Sequence, residues 1–299
     1  MPMGSFAVVQ CPLTDTFDVS ASAVLYSTLA GVLAGFALVA LIFILTSMGT
    51  AAHQARRELE VVSFENHLVV SLICTFLALV VSAVLYAILA AERKEALLQG
   101  RAPSEELLSG ISFAFAVMAL LYSLTLLIES TGLTATAHEV RSIVAIFTAP
   151  VTTMFIGFSG QDLAFAKLAS SPTCRDNGFY RAMSIWGSCL LPCIALGVCL
   201  ILVVLSRTKI DATSHHISKG KSWWSRNALP KISLVVALTA AVWSAFWSEK
   251  NPASGLTQCY AWAWLSAATL FLLAQTVFVL WAHPGDSVAD VGEPSPWQP

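Results

Sequence analysis

Residues 129–160 read ESTGLTATAHEVRSIVAIFTAPVTTMFIGFSG, and the second half of this stretch sets the class of fold. From Ser142 to Gly160 no residue is charged, yet the segment carries Thr148, Pro150, Thr152 and Thr153. Pro150 has no N–H and crowds the carbonyl four residues back, so Ile146 loses its helical partner. In hydrocarbon that carbonyl needs a substitute from a neighbouring helix, a Thr hydroxyl or a trapped water. The segment is therefore expected inside a bundle, facing protein. Just ahead of it, Glu129, His138, Glu139 and Arg141 form the tightest group of ionisable residues at the edge of an apolar run.

The rest of the chain has the same character. Hydrophobic residues make up 57% and charged residues only 11%, with mean hydropathy +0.74. A soluble domain runs at about 25% charged, so the composition implies a polytopic membrane protein. The net charge of −2 says little for a chain surrounded mostly by lipid. No basic block is large enough for nucleic acid to be expected as a partner; membrane lipids are the expected surroundings. Residues 1–22 contain no Lys or Arg, so the basic n-region of a secretory signal is missing, and the first apolar run is long enough to be a retained span. Gly4 follows Met3, not the initiator, so the myristoylation pattern is not met.

A span needs about 20 predominantly apolar residues. Seven segments qualify: Val24–Met48, Leu68–Ala91, Leu107–Ile128, Ser142–Gly160, Ala182–Ser206, Ile232–Trp247 and Cys259–Ala282. The expected fold is an all-α integral membrane protein, a seven-transmembrane-helix bundle. Residues 1–22 form an N-terminal tail outside and residues 23–282 one membrane domain. Residues 283–299, rich in Pro, Gly and acids, form a disordered C-terminal tail inside. Lys and Arg in short loops favour the cytoplasmic side. The joint Arg207–Lys231, with Lys209, Lys219, Lys221 and Arg226, tips the balance to N-terminus outside and C-terminus cytoplasmic.

Several local patterns refine this plan. Ala23, Ser27, Gly31 and Gly35 recur at four-residue intervals, a ridge of small residues expected to pack against another helix of the same chain. Ser22-Ala-Val-Leu-Tyr26 and Ser82-Ala-Val-Leu-Tyr86 place two tyrosines at one interface of antiparallel neighbours, where Tyr belongs to the aromatic belt. Ala52–Asn66 is read as a surface helix or an extension of a span. Pro103-Ser104-Glu105-Glu106 reads as a helix start, with Ser104 as cap and the acids facing the dipole. Gly160–Ser171, with apolar Leu163, Phe165, Ala166 and Leu168, is expected to lie along the outer interface. Trp223 and Trp224 belong at the inner headgroup level, and Trp243, Trp247, Trp262 and Trp264 form an outer aromatic group, the expected contact surface for a membrane-protein partner.

None of the seven segments contains Asp, Glu, Lys, Arg or His. Proton relays and charged cofactors rely on such groups, so proton pumps and a retinal Schiff base are not expected, and neither a cofactor nor a metal is implied. Glu65, His67, Glu129, His138, Glu139 and Arg141 gather at the inner rim, where carboxylates and imidazoles can bind a cation or run acid–base chemistry. A structural role is favoured for them, because Glu139 suits a helix start and Arg141 can snorkel. Gln275, with Thr148, Thr152, Thr153 and Tyr122, can bridge helices or line a solute path. Cys11, Cys174 and Cys259 fall on the outer side, where one pair can form a disulfide. Cys189 and Cys193 share a helix face around Pro192, and packing is favoured there over metal.

Seven spans with an outside N-terminus are also the plan of G-protein-coupled receptors. The third span, however, ends Glu129-Ser130-Thr131 without an Asp-Arg-Tyr pattern, and the seventh has Gln275-Thr276 without Asn-Pro-x-x-Tyr, so no such assignment follows. The expected function is non-catalytic: binding a partner or a small apolar ligand as a sensor or accessory subunit. Whether the chain is an enzyme stays open. The alternatives are a carrier or channel for a neutral solute, gated at Pro150 and Pro192, and an enzyme acting on lipid or isoprenoid substrates at the rim.

Overall fold

The computed structural model describes residues 19–51, 59–92, 101–130, 134–169, 182–183, 185–210, 222–248 and 258–281. They are helical almost throughout. The helices are α1 (Val19–Ala51), α2 (Leu59–Ala90), α3 (Arg101–Ser130), α4 (Thr134–Ala169), α5 (Leu191–Ile210), α6 (Ser222–Ser248) and α7 (Gln258–Trp281), with a π-helical turn at Trp186–Leu190 before α5. Four stretches are long and apolar enough to cross a membrane: Val19–Thr46, His67–Ala90, Arg101–Ile128 and Ser142–Phe165.

Neighbouring helices run antiparallel, as their contacts require. Ser20 Oγ donates to Ala90 O and Ser27 Oγ to Ala83 O, so α1 climbs as α2 descends. Between α2 and α3, Ser82 and Ser112 share a hydrogen bond of 2.8 Å, and farther along Ser71 and Ser123 share one of 2.7 Å. Each such bond satisfies two hydroxyls that apolar surroundings would otherwise penalise, and each fixes the register of the pair.

The centre of the bundle is α3, not the proline-bearing α4. Of the window in α3, 67% is buried, against 47% in α4 and 28% in α1. The cause lies in its side chains: Ala102, Ser104, Ser109, Gly110, Ser112, Ala114, Ala116 and Ala119 leave room for neighbours around the helix, and α2, α4 and α6 all pack on it. In α4, by contrast, Ile143 and Phe147 point outward. The hydroxyls of Thr148, Thr152 and Thr153 donate to carbonyls of their own helix: Val144 for Thr148, Thr148 and Ala149 for Thr152, and Ala149 and Pro150 for Thr153. The helix passes through Pro150 unbroken.

Four further expectations are corrected. The ridge on α1 faces the bundle only in its first half, where Ala23 is buried and Ser27 bonds to Ala83 of α2. Gly31 and Gly35 look into open space, and the buried face continues through Ala30, Ala34, Ala37, Leu41 and Ile44. The alanine methyls make dispersion contacts with the neighbouring helix that a glycine lacks, and the alanine stripe is the one that packs. Gly160–Ala169 does not lie along an interface; it continues α4, with Leu163, Ala164 and Phe165 buried against the core. Helix α3 starts at Arg101, so Pro103 and Ser104 sit in its first turn, where a missing N–H is harmless. Tyr86 is 1% exposed and belongs to the core, not to an aromatic belt. It does meet Tyr26, ring to ring at 5.2 Å, at one level of antiparallel neighbours. Leu59–Asn66 extends α2, while residues 52–58 and the two tails lie outside the described residues.

Pro192 falls in the first turn of α5, immediately after the π turn. There Leu191 N–H bonds to Trp186 O, five residues back. A π turn is one of the few devices that shift the helical register next to a proline.

Close packing on α3 has a measurable consequence. A Cβ at Gly110 would stand 3.0 Å from Ser159 Cβ and nearer still to its Oγ. Gly110→Ala is expected to lower thermal stability by about 1–3 kcal/mol through overpacking, whereas Gly31→Ala, with nothing within 4 Å, should stay within about 0.5 kcal/mol of wild type. Thermal unfolding followed by circular dichroism separates the two.

Candidate functional site

The start of α1, the end of α2, the start of α3 and the end of α4 meet at one end of the bundle. That juxtaposition buries acids which each helix, taken singly, would carry on a polar end. Glu105 is 3% exposed and Glu106 1%. Asp162, on α4, lies within hydrogen-bonding reach of the Glu106 carboxyl. Ser22 of α1 donates to Glu106 Oε1 at 3.5 Å, the long limit for a hydrogen bond. Glu106 Oε2 is buried and receives no hydrogen bond from any donor among the described residues. Glu106 lies roughly 8 Å of helix rise inside the start of α3, and Asp162 roughly 10 Å before the end of α4.

One turn deeper, Tyr86 OH and Ser159 Oγ are in hydrogen-bonding contact, and both border Gly110. Glycine there allows α3 and α4 to approach closely enough for the carboxyls above to meet. The phenols of Tyr26 and Tyr86 lie within electrostatic range of both Glu106 and Asp162. Deeper again, four rings form a layer. Tyr26 sits 5.2 Å from Tyr86, 6.2 Å from Phe113 and 5.8 Å from Phe155, and Phe113 and Phe155 pack edge to face at 5.6 Å.

Beside the pair stands an ion cluster. Arg101 pairs with Glu92 at the end of α2 and, through Nε at 3.7 Å, with Glu105 one turn on. All three side chains are largely buried. Arg101 thereby supplies the cation for Glu92 and Glu105, and Glu106 has a second acid as its neighbour. Two acceptor groups in such contact need a proton or a cation between them.

The expectation of an interior without titrating side chains therefore fails at this end. The segments as bounded in sequence stop at Leu107 and Gly160; the helices continue past those bounds and draw Glu105, Glu106 and Asp162 inward. The residues singled out at the rim lie toward the opposite end. Glu139 is exposed and His67 half-buried, while Glu65, Glu129, His138 and Arg141 occupy helical positions whose side chains are outside the described set. Tyr122, Thr148, Thr152 and Thr153 are buried; the side chain of Gln275 is not described. Cys259 is free and exposed, Cys74 and Cys199 are free and buried, and Cys189 and Cys193 point outward instead of packing. Cys11 and Cys174 lie outside the described residues. No group of three or more metal-ligating side chains occurs among the described residues.

A signal for the acid pair exists in the sequence. Glu105-Glu106 and Asp162 lie just beyond apolar segments that are adjacent in the chain and run antiparallel, which puts both acids at one end. The residues between them, Ser109, Gly110, Ser159 and Gly160, are small. No protein-family model, curated protein or solved structure matches the chain.

The cluster makes opposite demands on its members. Arg101→Met is expected to lower thermal stability by about 1–3 kcal/mol, because Glu92 and Glu105 lose their cation while largely buried. Glu106→Gln gives Asp162 a permanent N–H donor and should stay within about 1 kcal/mol of wild type. Equal losses in the two variants, read by thermal unfolding, would contradict this division of roles.

Proposed function

We propose that the chain is a seven-pass integral membrane protein that carries a solute across the bilayer in exchange for a proton shared by Glu106 and Asp162. One observation carries the reading: two carboxyls from different helices lie within hydrogen-bonding reach, Glu106 all but fully buried. Carboxylates so close cannot both be ionised, so the pair holds one proton. Buried acids in membrane proteins are costly and mark sites that handle protons or charged solutes. The titratable groups facing the pair are Tyr26 of α1 and Tyr86 of α2, while Arg101, Glu92 and Glu105 form a separate ion cluster at the same end.

The seven-pass reading draws support from helix length and surface. Helices α5, α6 and α7 have 20, 27 and 24 residues, about 30 Å or more at 1.5 Å per residue. Ile201, Val242 and Leu270 are at least 60% exposed, as lipid-facing side chains would be. With the N-terminus outside, the acid pair belongs to the outer half. A proton bound there must still reach the other end. The shared hydroxyl pairs Ser82–Ser112 and Ser71–Ser123, with Thr75 beside the latter, mark polar steps along the α2–α3 seam. Roughly 16 Å of α3 separates Ser112 from Ser123, and Ala78, Ala116 and Ala119 are fully buried there. Exchange therefore requires a rearrangement, for which the π turn before Pro192 is the natural hinge.

A second reading is a non-catalytic module that binds a membrane partner through Trp243, Trp247, Trp262 and Trp264. It is favoured by Trp243, 39% exposed with its ring 6.3 Å from that of Trp264.

Proteoliposomes containing pyranine, preloaded in turn with members of a panel of small organic solutes and diluted into solute-free buffer at zero membrane potential, test the leading reading. Protein-dependent proton entry is expected, lowered at least about tenfold in Glu106→Gln and Asp162→Asn. Its absence in wild type, or its persistence in Glu106→Gln, would overturn the reading. Reporter fusions at Trp223 and at the C-terminus are both expected on the inner side.

A further inference from the structure

The acid pair has a neighbour that proton transfer alone does not use. Helix α1 lies along α2 and barely meets α3, and it reaches α4 through the edge-on contact of Tyr26 with Phe155. The α1–α4 seam is thus sparsely packed, with Phe113 of α3 behind its rings. Ser22, Glu106 and Asp162 occupy one level of it. Tyr26, Phe113 and Phe155 occupy the next, roughly 10 Å along α3 and α4 from the carboxyls. Tyr26 and Phe155 are only half-buried, whereas Phe113 is 1% exposed, so the two outer rings are the ones able to turn aside.

The chemistry of the two levels differs in a way that selects a ligand. At the upper level Glu106 Oε2 is buried without a donor, and the nearest strong neighbour is a second acid. The guanidinium of Arg101 is engaged by Glu92 and Glu105. A cation carrying several N–H donors would satisfy both carboxyls at once. At the lower level the rings offer apolar and π surface without charge. An anion is repelled by the first level, and a hydrated metal ion gains nothing from the second.

We propose that a lipophilic ammonium ion enters the bundle by parting the α1–α4 seam, its charged head between Glu106 and Asp162 and its apolar body against Tyr26 and Phe155. The inference rests on the carrier reading, for which it names the class of solute exchanged. The exchange balances: the pair with one proton carries a single negative charge, and the incoming ammonium displaces that proton to solvent. Two carboxylates and one cation remain, with the same net charge. Side access between α1 and α4 suits a solute that partitions into the bilayer first.

Calorimetric titration of the detergent-solubilised full chain with 4-phenylbutylammonium, against uncharged 4-phenylbutanol, tests this. The ammonium is expected to bind at least about tenfold more tightly than the alcohol, with a proton released on binding, read from the dependence of the heat on buffer ionisation. Glu106→Gln should weaken the ammonium at least about tenfold and leave the alcohol unchanged; Phe155→Leu should weaken both. Equal affinity for ammonium and alcohol, or full ammonium affinity in Glu106→Gln, overturns the proposal. The titration and the proton flux fail separately. Flux that depends on Glu106 without ammonium binding removes the solute class and keeps the carrier. Ammonium binding that depends on Glu106 without flux keeps the α1–α4 seam as an amine site and removes the carrier.

Discussion

Everything at the acidic end depends on how closely α4 can approach α3. Gly110 leaves no side chain between the helices where Ser159 and Tyr86 come together, and that contact fixes the separation of the carboxyls one turn above. A larger residue would push the helices apart, and Glu106 and Asp162 would no longer meet. The energetic logic is unusual for an acidic pair. Charge repulsion and burial both oppose it, so the packing of the helix pair must hold it in place. Small residues supply that packing, because backbone contact and dispersion grow as side chains shrink.

The same small-residue character makes α3 the hub. Helices α2, α4 and α6 all lie against it, and its Ser112 and Ser123 hydroxyls meet Ser82 and Ser71 across the seam. Large apolar side chains concentrate on the outward faces instead; Phe36, Val39 and Phe43 on α1 are each more than 60% exposed. In water such a distribution would be unstable. In a bilayer it is the expected arrangement, since lipid solvates the large side chains and leaves the interior to small ones and hydroxyls. The outward position of Gly31 and Gly35 follows from the same balance, because the alanine stripe on the other face of α1 makes dispersion contacts that a glycine lacks.

Proline placement shows where local chemistry decides structure and where it does not. Pro103 begins a helix and Pro192 follows a π turn, both as its missing N–H requires. Pro150 sits within an unbroken α4. Threonines near it bond to carbonyls of their own helix, so they stabilise the backbone and do not present donors to a path.

By itself the sequence determined the helical class, the apolar segments and their antiparallel order, since these follow from hydropathy over some twenty residues and from short connections. It also placed Tyr26 and Tyr86 at one level, because a shared motif on antiparallel neighbours leaves little freedom. Tertiary structure alone decided that α3 is central, that Gly31 and Gly35 of α1 face away, and that Glu105, Glu106 and Asp162 are buried. The physical reason is that a helix end looks the same in sequence whether it reaches solvent or is enclosed. Hydropathy records the composition of each segment, whereas burial of a charge depends on which neighbours arrive beside it.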